Sequence, residues 1–281
     1  MNGINKVVIF YNSKRGDSFE FYKKVKKYLL SLGIKTQDIC VNKTCPDRIF
    51  GKLAISIGGD GTVLYASRHI VDCDLPMISI KAGGLGFLSS VEIDRFKGFF
   101  NEVLKEKYKI VERAFLHINI KNKKYIALND FVIRANEPRA FNLDVYYNDS
   151  FISNYFGDGL IISTPTGSTA YNLASFGPII VPHANVFSLS PICPHTLTLR
   201  PIILPDAGEL CVKFSSNDNK DIMKIVLSID GQENLELSGK NKIYISRYPK
   251  TIKTLVPKNF SYFELLRKKL NWGLIPERKL S

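Results

Sequence analysis

The chain has 281 residues, 45% of them hydrophobic, and a formal net charge of +13. That length suits two domains, and the apolar share supports a sizeable core and excludes a disordered chain. The charge excess is mostly Lys and is dispersed, so it does not by itself select nucleic acid as a partner; a positive field attracts phosphate-bearing small molecules just as well. Its densest clusters are Lys23, Lys24, Lys26, Lys27 and Lys121, Lys123, Lys124. The first lies on a predicted amphipathic helix and the second in a predicted hairpin turn, so both read as solvated surface. The five cysteines (Cys40, Cys45, Cys73, Cys193, Cys211) are odd in number and lack C-x2-C spacing. They argue for reduced thiols in a cytoplasmic protein rather than a zinc site or disulfide framework. The opening MNGINKVVIFYN reads as a strand, not a signal peptide, and no apolar run approaches the ~20 residues of a membrane span.

In chain order, Lys6–Tyr11 is the first predicted strand. Asp17 opens a helix with Glu20 as its capping-box partner. Phe21, Val25, Tyr28, Leu29 and Leu32 follow at helical spacing, and Gly33 closes the helix as a C-cap. Leu53–Ile57 is a buried strand running into Gly58-Gly59-Asp60-Gly61-Thr62, with a helix expected from about Val63 to Val71. Met77–Ile80 is a further strand, and Asp94 starts a helix reaching about Glu106. Such alternation implies a doubly wound parallel sheet.

After Lys109 the period shortens. Leu116–Ile120, Leu143–Tyr147, Ile161–Ser163, Leu210–Phe214, Ile225–Ile229 and Lys242–Ser246 read as strands. Asn148-Asp149, Asp206-Ala207-Gly208, Asp230-Gly231 and Ser238-Gly239 separate them as turns, which implies an antiparallel β domain. Phe263–Trp272 is apolar at helical spacing and is expected to pack back on the first domain. The expected organisation is an α/β domain over 1–108, a β-rich domain over 109–262 and a C-terminal helix and tail over 263–281.

Two strings carry chemistry. Gly58-Gly59-Asp60-Gly61-Thr62 lies between a buried strand and a helix, where open α/β sheets bind ligands. Glycines let backbone N–H groups approach a phosphate, and the helix start favours negative charge. A carboxylate there is unfavourable beside phosphate unless it holds a metal ion or accepts a proton. The plainer alternative is a tight turn with Asp60 as N-cap. The loop is neither a P-loop nor a Rossmann fingerprint, since no Lys follows the glycines and G-x-G-x-x-G is absent. The second string, from Gly157 to Tyr171, runs from a strand through Ser163, Thr164, Thr166, Ser168 and Thr169 into a helix expected from about Thr169. Its hydroxyls suit ribose and phosphate oxygens, and Ser168 alternatively reads as a plain N-cap. It matches no serine-nucleophile motif.

GGDGT at 58–62 together with DGLIISTPTGSTAY at 158–171 closely resembles the NAD kinase family. Further stretches agree in order: Leu85-Gly86-Phe87-Leu88, Ala127-Leu128-Asn129-Asp130, Gly177-Pro178-Ile179, Pro194-His195-Thr196-Leu197, Arg200-Pro201 and Asp230-Gly231-Gln232. The resemblance implies a kinase that transfers the terminal phosphoryl of ATP to the 2′-hydroxyl of the adenosine ribose of NAD. It implies Asp60 as the general base and Gly58, Gly59, Gly61 and Thr62 as the phosphate loop. Phe87 is implied as an apolar contact in the dinucleotide site, and Asn129 and Asp130 as dinucleotide binders. Asp158 falls on the nicotinamide side. Thr166, Thr169, Ala170, Tyr171, Asn172 and Ala174 fall around adenine and ribose, and Gln232 is a further ligand contact. The first half is expected to supply the phosphate loop and the second most of the dinucleotide pocket.

NAD and ATP are the expected substrates, with a divalent ion such as Mg2+ accompanying ATP, and a homo-oligomer, dimer or tetramer, is the expected assembly. No nucleic-acid or membrane partner is expected. Three residues depart from the family pattern: Asp130 stands for a longer Glu, Phe156 for a basic residue, and Gly84 for a larger one. His69, His117 and His183 lack metal-ligand spacing and His195 reads as structural, so no protein metal site is expected. The competing reading is a lipid kinase of the diacylglycerol or sphingosine type, which shares the GGDGT loop but not STPTGSTAY. A nucleic-acid binder would want basic residues interleaved with stacking aromatics, which the sequence lacks.

Overall fold

A computed structural model describes residues 3–83, 86–137, 140–215, 224–238 and 242–273. Gly84, Leu85 and Gly239, which figure in the readings above, lie outside the described residues. The chain forms two compact units: the residues up to Val111 with those from Lys253 onward, and Glu112–Ile252.

The first unit runs β1 (Lys6–Tyr11), α1 (Gly16–Ser31), β2 (Lys35–Cys40), β3 (Leu53–Gly58), α2 (Asp60–Ile70), β4 (Met77–Lys81), β5 (Val91–Glu92) and α3 (Phe96–Leu104). Its strands are parallel in the order β2-β1-β3-β4, with β5 beside β4. Every residue of β3 is buried, which is what a strand covered on both faces requires of its sequence. Val7, Ile9, Leu53, Ile55, Ile57, Ile78 and Ile80 meet Val25 and Leu29 of α1 and Phe96 and Phe100 of α3 in one core. Gly33, at φ +73°, ends α1 as expected, with the Ile34 N–H reaching back to Leu29 O at 3.0 Å.

The second unit contains β6 (Lys109–Ile120), β7 (Lys123–Ala127), β8 (Asp130–Ala135), β9 (Phe141–Tyr147), β10 (Ser150–Gly157), β11 (Gly159–Ser163), the single turn α4 (Tyr171–Ala174), β12 (Val186–Ile192), β13 (Ile202–Pro205), β14 (Leu210–Ser215), β15 (Lys224–Ile229), β16 (Glu233–Ser238) and most of β17 (Lys242–Val256). A six-stranded antiparallel sheet has the order β13-β12-β11-β8-β15-β16. Phe131, Ile133, Leu160, Ile162, Phe187, Leu189, Ile225 and Leu227 place its inner face in a second core. The turns Asn148-Asp149 and Asp230-Gly231 adopt the paired positive φ that tight hairpins need. The end of β17 belongs to the first unit, where Thr254 pairs with Met77. The last helix, α5 (Tyr262–Leu270), also belongs there, capped by Ser261 and with Leu266 buried.

Three local expectations are corrected. No capping box forms at α1; its N-cap is Arg15 and no side chain caps it. Ser18 takes that ground instead, accepting the Asn12 N–H at 3.1 Å and donating to Ile57 O at 2.7 Å. The helix expected from about Thr169 shrinks to α4, preceded by a 3-10 turn over Gly167–Thr169. Ser168 does not cap it, because its hydroxyl donates to Pro165 O at 2.7 Å and accepts the Ile180 N–H at 3.0 Å.

Ser18 is fully buried and ties the end of β1 to the end of β3, one residue before Gly58. Ser18→Ala orphans both partners and is expected to lower stability by about 1–3 kcal/mol. Denaturant melts monitored by circular dichroism measure this; an unchanged midpoint would show that water replaces the hydroxyl.

Candidate functional site

In the first unit β3 ends at Gly58, Gly59 is the N-cap, and α2 begins at Asp60. The helix therefore starts about three residues earlier than expected, inside the glycine string. Its first-turn N–H groups and positive dipole end lie at the carboxyl edge of the parallel sheet. Thr62 is buried, while Gly59 and Asp60 are partly and Gly61 fully accessible. The Asp60 carboxylate accepts the Phe87 N–H at 2.8 Å on one oxygen and the Leu88 N–H at 3.0 Å on the other. A carboxylate oxygen accepts two bonds, so these two donors fix its orientation and leave each oxygen a free lone pair. The close approach requires glycine at position 86, where a Cβ would stand 2.3 Å from Asp60 Oδ1. Phe87, expected as an apolar ligand contact, is half-buried and its backbone serves this clamp.

In the second unit strand alternation builds the site. Phe131 and Ile133 of β8 point into the core, so Asp130, Val132 and Arg134 share the other face. With Ser228 of the paired β15 and with Asn129, Ala170, Tyr171, Asp230, Gly231 and Asn234, they line a cavity of about 370 Å³. The Asp230 carboxylate holds its floor by accepting backbone N–H groups from Leu128 at 3.1 Å, Asn129 at 2.7 Å and Asp130 at 3.2 Å. The hydroxyl-rich turn is bound to the same segment: Thr164 Oγ1 donates to Leu128 O at 2.5 Å and Thr164 N–H to Asn129 O at 2.9 Å. Gly167 passes so close that a Cβ would sit 2.1 Å from Asn129 O.

Asp130 is the unusual member. Its side chain is 4% exposed and lines the cavity, yet no hydrogen bond to its carboxyl is found among the described residues. Burial, helped by the nearby Asp230 carboxylate, raises its pKa from 3.8 to about 7. A buried carboxyl without donors is unfavourable in the isolated chain and becomes favourable when a ligand brings hydroxyls.

The structure gathers Asn129, Asp130, Ala170 and Tyr171 in that cavity. Asp158, exposed, lines a neighbouring cavity of about 500 Å³ that shares Arg134 and Tyr171 with the first. Thr166 is buried and accepts from Arg113 Nη1 at 3.4 Å; Thr169 is half-buried, Ala174 is exposed at the end of α4, and Gln232 is exposed just past Gly231. Asn172 is fully buried and its side chain is bonded within the chain. Its Nδ2 donates to Ser168 O and Pro178 O, and its Oδ1 accepts from Ser188 at 3.1 Å and Ser190 at 2.7 Å. Phe156 is exposed and packs edge-on against His195, centroids 4.7 Å apart, in line with a structural His195.

Motif reading missed Arg134, Ser228 and Asn234, and gave Asp230 as a turn residue within a family-matching stretch but with no role of its own. The period-2 pattern from Asp130 was the available signal for Arg134. Among the described residues no group of three or more His, Cys, Asp or Glu is arranged to hold a metal ion.

A helix start open to anions and a carboxylate-lined cavity of nucleotide dimensions define a nucleotide-binding protein. Residues 12–108 match the ATP-NAD kinase N-terminal domain, and residues 128–256 match the ATP-NAD kinase C-terminal domain. An NAD kinase of Sulfurimonas denitrificans is 39% identical over 224 residues, 78% of this chain and 77% of that protein. One from Fusobacterium nucleatum is 35% identical over 277 residues, 95% of this chain and 98% of that protein. The chain belongs to the NAD kinase family. The fold likewise resembles yeast NADH kinase complexed with NADH, with a TM-score of 0.88 at 23% identity over 98% of this chain and 89% of that one. It also resembles an NAD kinase from Archaeoglobus fulgidus in complex with ATP, with a TM-score of 0.78 at 19% identity over 95% and 98%.

Folded Asp130 keeps its proton to about pH 7, whereas the unfolded carboxyl loses it near the ordinary 3.8. Between those values the folded chain binds more protons, so the stability contributed by this group falls as pH rises through the window. Asp130→Asn removes that loss. The variant is expected to be more stable than the parent at pH 8, on the order of 2–4 kcal/mol, with the gap closing toward pH 4. Paired urea melts at the two pH values measure it, and a variant no more stable at pH 8 contradicts the assignment.

Proposed function

We propose that the chain transfers the terminal phosphoryl group of ATP to the 2′-hydroxyl of the adenosine ribose of NAD, giving NADP. The observation that carries this reading is family membership over both units. The buried, donor-free Asp130 carboxyl facing the second unit's cavity supports it. The Gly58, Gly59, Gly61 and Thr62 loop serves the donor phosphates, and Asn129 with Asp130 serves ribose hydroxyls. Thr166, Thr169, Ala170, Tyr171 and Ala174 serve adenine and ribose, Asp158 the nicotinamide side, and Gln232 a peripheral contact. A match to the family's C-terminal domain over 128–256 favours a dinucleotide acceptor over a lipid.

A ribose hydroxyl is a weak nucleophile, and a loose phosphoryl-transfer transition state needs positioning and charge stabilisation above all. The 2′-oxygen bonds to the γ-phosphorus, the bond to the β–γ bridging oxygen breaks, and ADP leaves. The hydroxyl proton passes to a free lone pair of Asp60, whose orientation the Phe87 and Leu88 N–H groups hold. A divalent ion, Mg2+ in the simplest case, enters as part of the ATP substrate and lowers the charge on its phosphates. The five free cysteines fit a cytoplasmic setting, and no helix among the described residues is long and apolar enough to cross a membrane. A homo-oligomer, dimer or tetramer, would cover Leu197, Ile202 and Ile203, exposed at and beside the sheet-edge strand β13.

Asp60→Asn turns an amide NH2 toward one of the two backbone donors, so a modest loss of stability accompanies the chemical effect. Turnover of the folded fraction is expected to fall by about 10²–10⁴-fold while NAD affinity holds. Coupled assay of NADP formation beside NAD calorimetry measures both, and near-parental turnover removes Asp60 from the proton transfer.

Asp130→Ala is expected to weaken NAD binding about tenfold or more, the effect of losing a hydrogen bond to a charged acceptor. Calorimetric titration with NAD decides it; unchanged affinity would mean that the ribose does not reach this carboxyl.

A further inference from the structure

Around the Gly58–Asp60 loop the first unit collects positive charge that its own carboxylates do not neutralise. Lys81 ends β4 directly beside Gly58 in the parallel register, and beside Glu92 on its other flank. Glu92 forms an ion pair with Lys268 Nζ at 3.6 Å, which ties the last turn of α5 to β5. The next residue, Lys269, is half-buried and lies within electrostatic reach of Lys81 and Asp60 as well as Glu92. Among the described residues neither Lys81 nor Lys269 has a hydrogen-bond or ion-pair partner. Arg15 adds a further guanidinium, with Nη1 3.3 Å from where a Cβ on Gly59 would stand.

These groups are held in an unfavourable arrangement. Lost hydration, with repulsion from Lys81 added, pulls the Lys269 pKa below the usual lysine value. Asp60 attracts Lys269 but forms no ion pair with either ammonium among the described residues, and Glu92 is already paired with Lys268. Two unpaired ammonium groups beside an open helix N-terminus are relieved together by one kind of ligand, a chain of phosphates.

We propose that Lys269, delivered by the C-terminal helix, binds the phosphate chain of the donor at the Gly58–Asp60 loop together with Lys81. The proposal rests on the kinase reading and adds donor-binding residues outside both sequence strings. It answers the objection to a carboxylate beside phosphate, because the two ammonium groups offset the repulsion between Asp60 and the donor. It also explains α5, since the chain returns to the first unit after β17 and brings one cation to the loop.

The test is titration calorimetry with inorganic triphosphate at fixed low salt, on the full chain and on Lys269→Met, which keeps the apolar stem and loses the charge. Triphosphate affinity is expected to fall about tenfold with NAD affinity unchanged, and KM for ATP to rise while KM for NAD holds. Lys269→Arg is expected to restore most of the affinity, which also separates charge from packing if the Met variant is unstable. Lys268→Ala, an equal charge loss on the same helix at an exposed ion pair, is expected to bind triphosphate like the parent. Undiminished triphosphate binding by Lys269→Met, or an equal loss in Lys268→Ala, overturns the proposal. A parent chain that binds triphosphate through Lys269 yet makes no NADP from ATP and NAD overturns the kinase reading and leaves the phosphate site standing.

Discussion

The second unit's site depends on the Asp230 carboxylate and the three backbone N–H groups it accepts from Leu128, Asn129 and Asp130. An ionised acceptor with three donors is strongly favoured, and it fixes the chain between β7 and β8. The hairpin makes this possible. Asp230 and Gly231 take φ of +51° and +63°, so the chain reverses within two residues and the carboxylate reaches back over the start of the neighbouring strand β8. The same arrangement sets a second carboxyl, that of Asp130, near the first. Nothing among the described residues hydrogen-bonds it, and its pKa rises to about 7. The bond network that makes the floor rigid therefore also makes the Asp130 site unstable without ligand, a local violation of the kind functional sites show.

Asp60 in the first unit is the opposite case. Two N–H donors hold its carboxylate, so its orientation does not depend on a ligand. A group that must meet a proton in one direction benefits from such fixing. A group that must bind several hydroxyls benefits from being left unsatisfied. The two carboxylates have the same chemistry and differ in the number of donors around them, which on the proposed reading suits Asp60 to taking a proton and Asp130 to binding hydroxyls.

The fold was legible where local pattern and burial agree. β1, β3 and β4 are short apolar runs, β9, β11, β14 and β15 were read from their apolar pattern, and the turns Asn148-Asp149 and Asp230-Gly231 take the positive φ that their residue types favour. β2 escaped notice because KTQDIC is an edge strand with little apolar content. The helix start at α1 was misread because Ser18 bonds Asn12 and Ile57, the latter 39 residues away in sequence, rather than capping its own helix. The turn after Thr166 was taken for a longer helix because its hydroxyls looked available. Asn172 and Ser168 instead bond to Ser188, Ser190, Pro165 and Ile180. Within the sites, Asp60, Asn129, Asp130 and Tyr171 were legible as motif residues. Arg134, Ser228 and Asn234 were not, because only the pairing of β8 with β15 and of β15 with β16 brings them together. Lys269 was not singled out in the sequence, where Phe263–Trp272 was read only as an apolar helix.

What stayed illegible shares one cause, which is sequence separation. Asp230 lies about a hundred residues from the segment it holds, and Lys268 lies far along the chain from Glu92. Such contacts form only after the intervening chain is ordered, and loop closure must be met before they contribute. On the reading proposed above, a dinucleotide at free concentration c that supplies hydroxyls to Asp130 and does not bind the unfolded chain stabilises the folded unit by RT ln(1 + c/Kd). On that reading, the carboxyl that weakens the empty unit at neutral pH is the group through which ligand binding returns that stability.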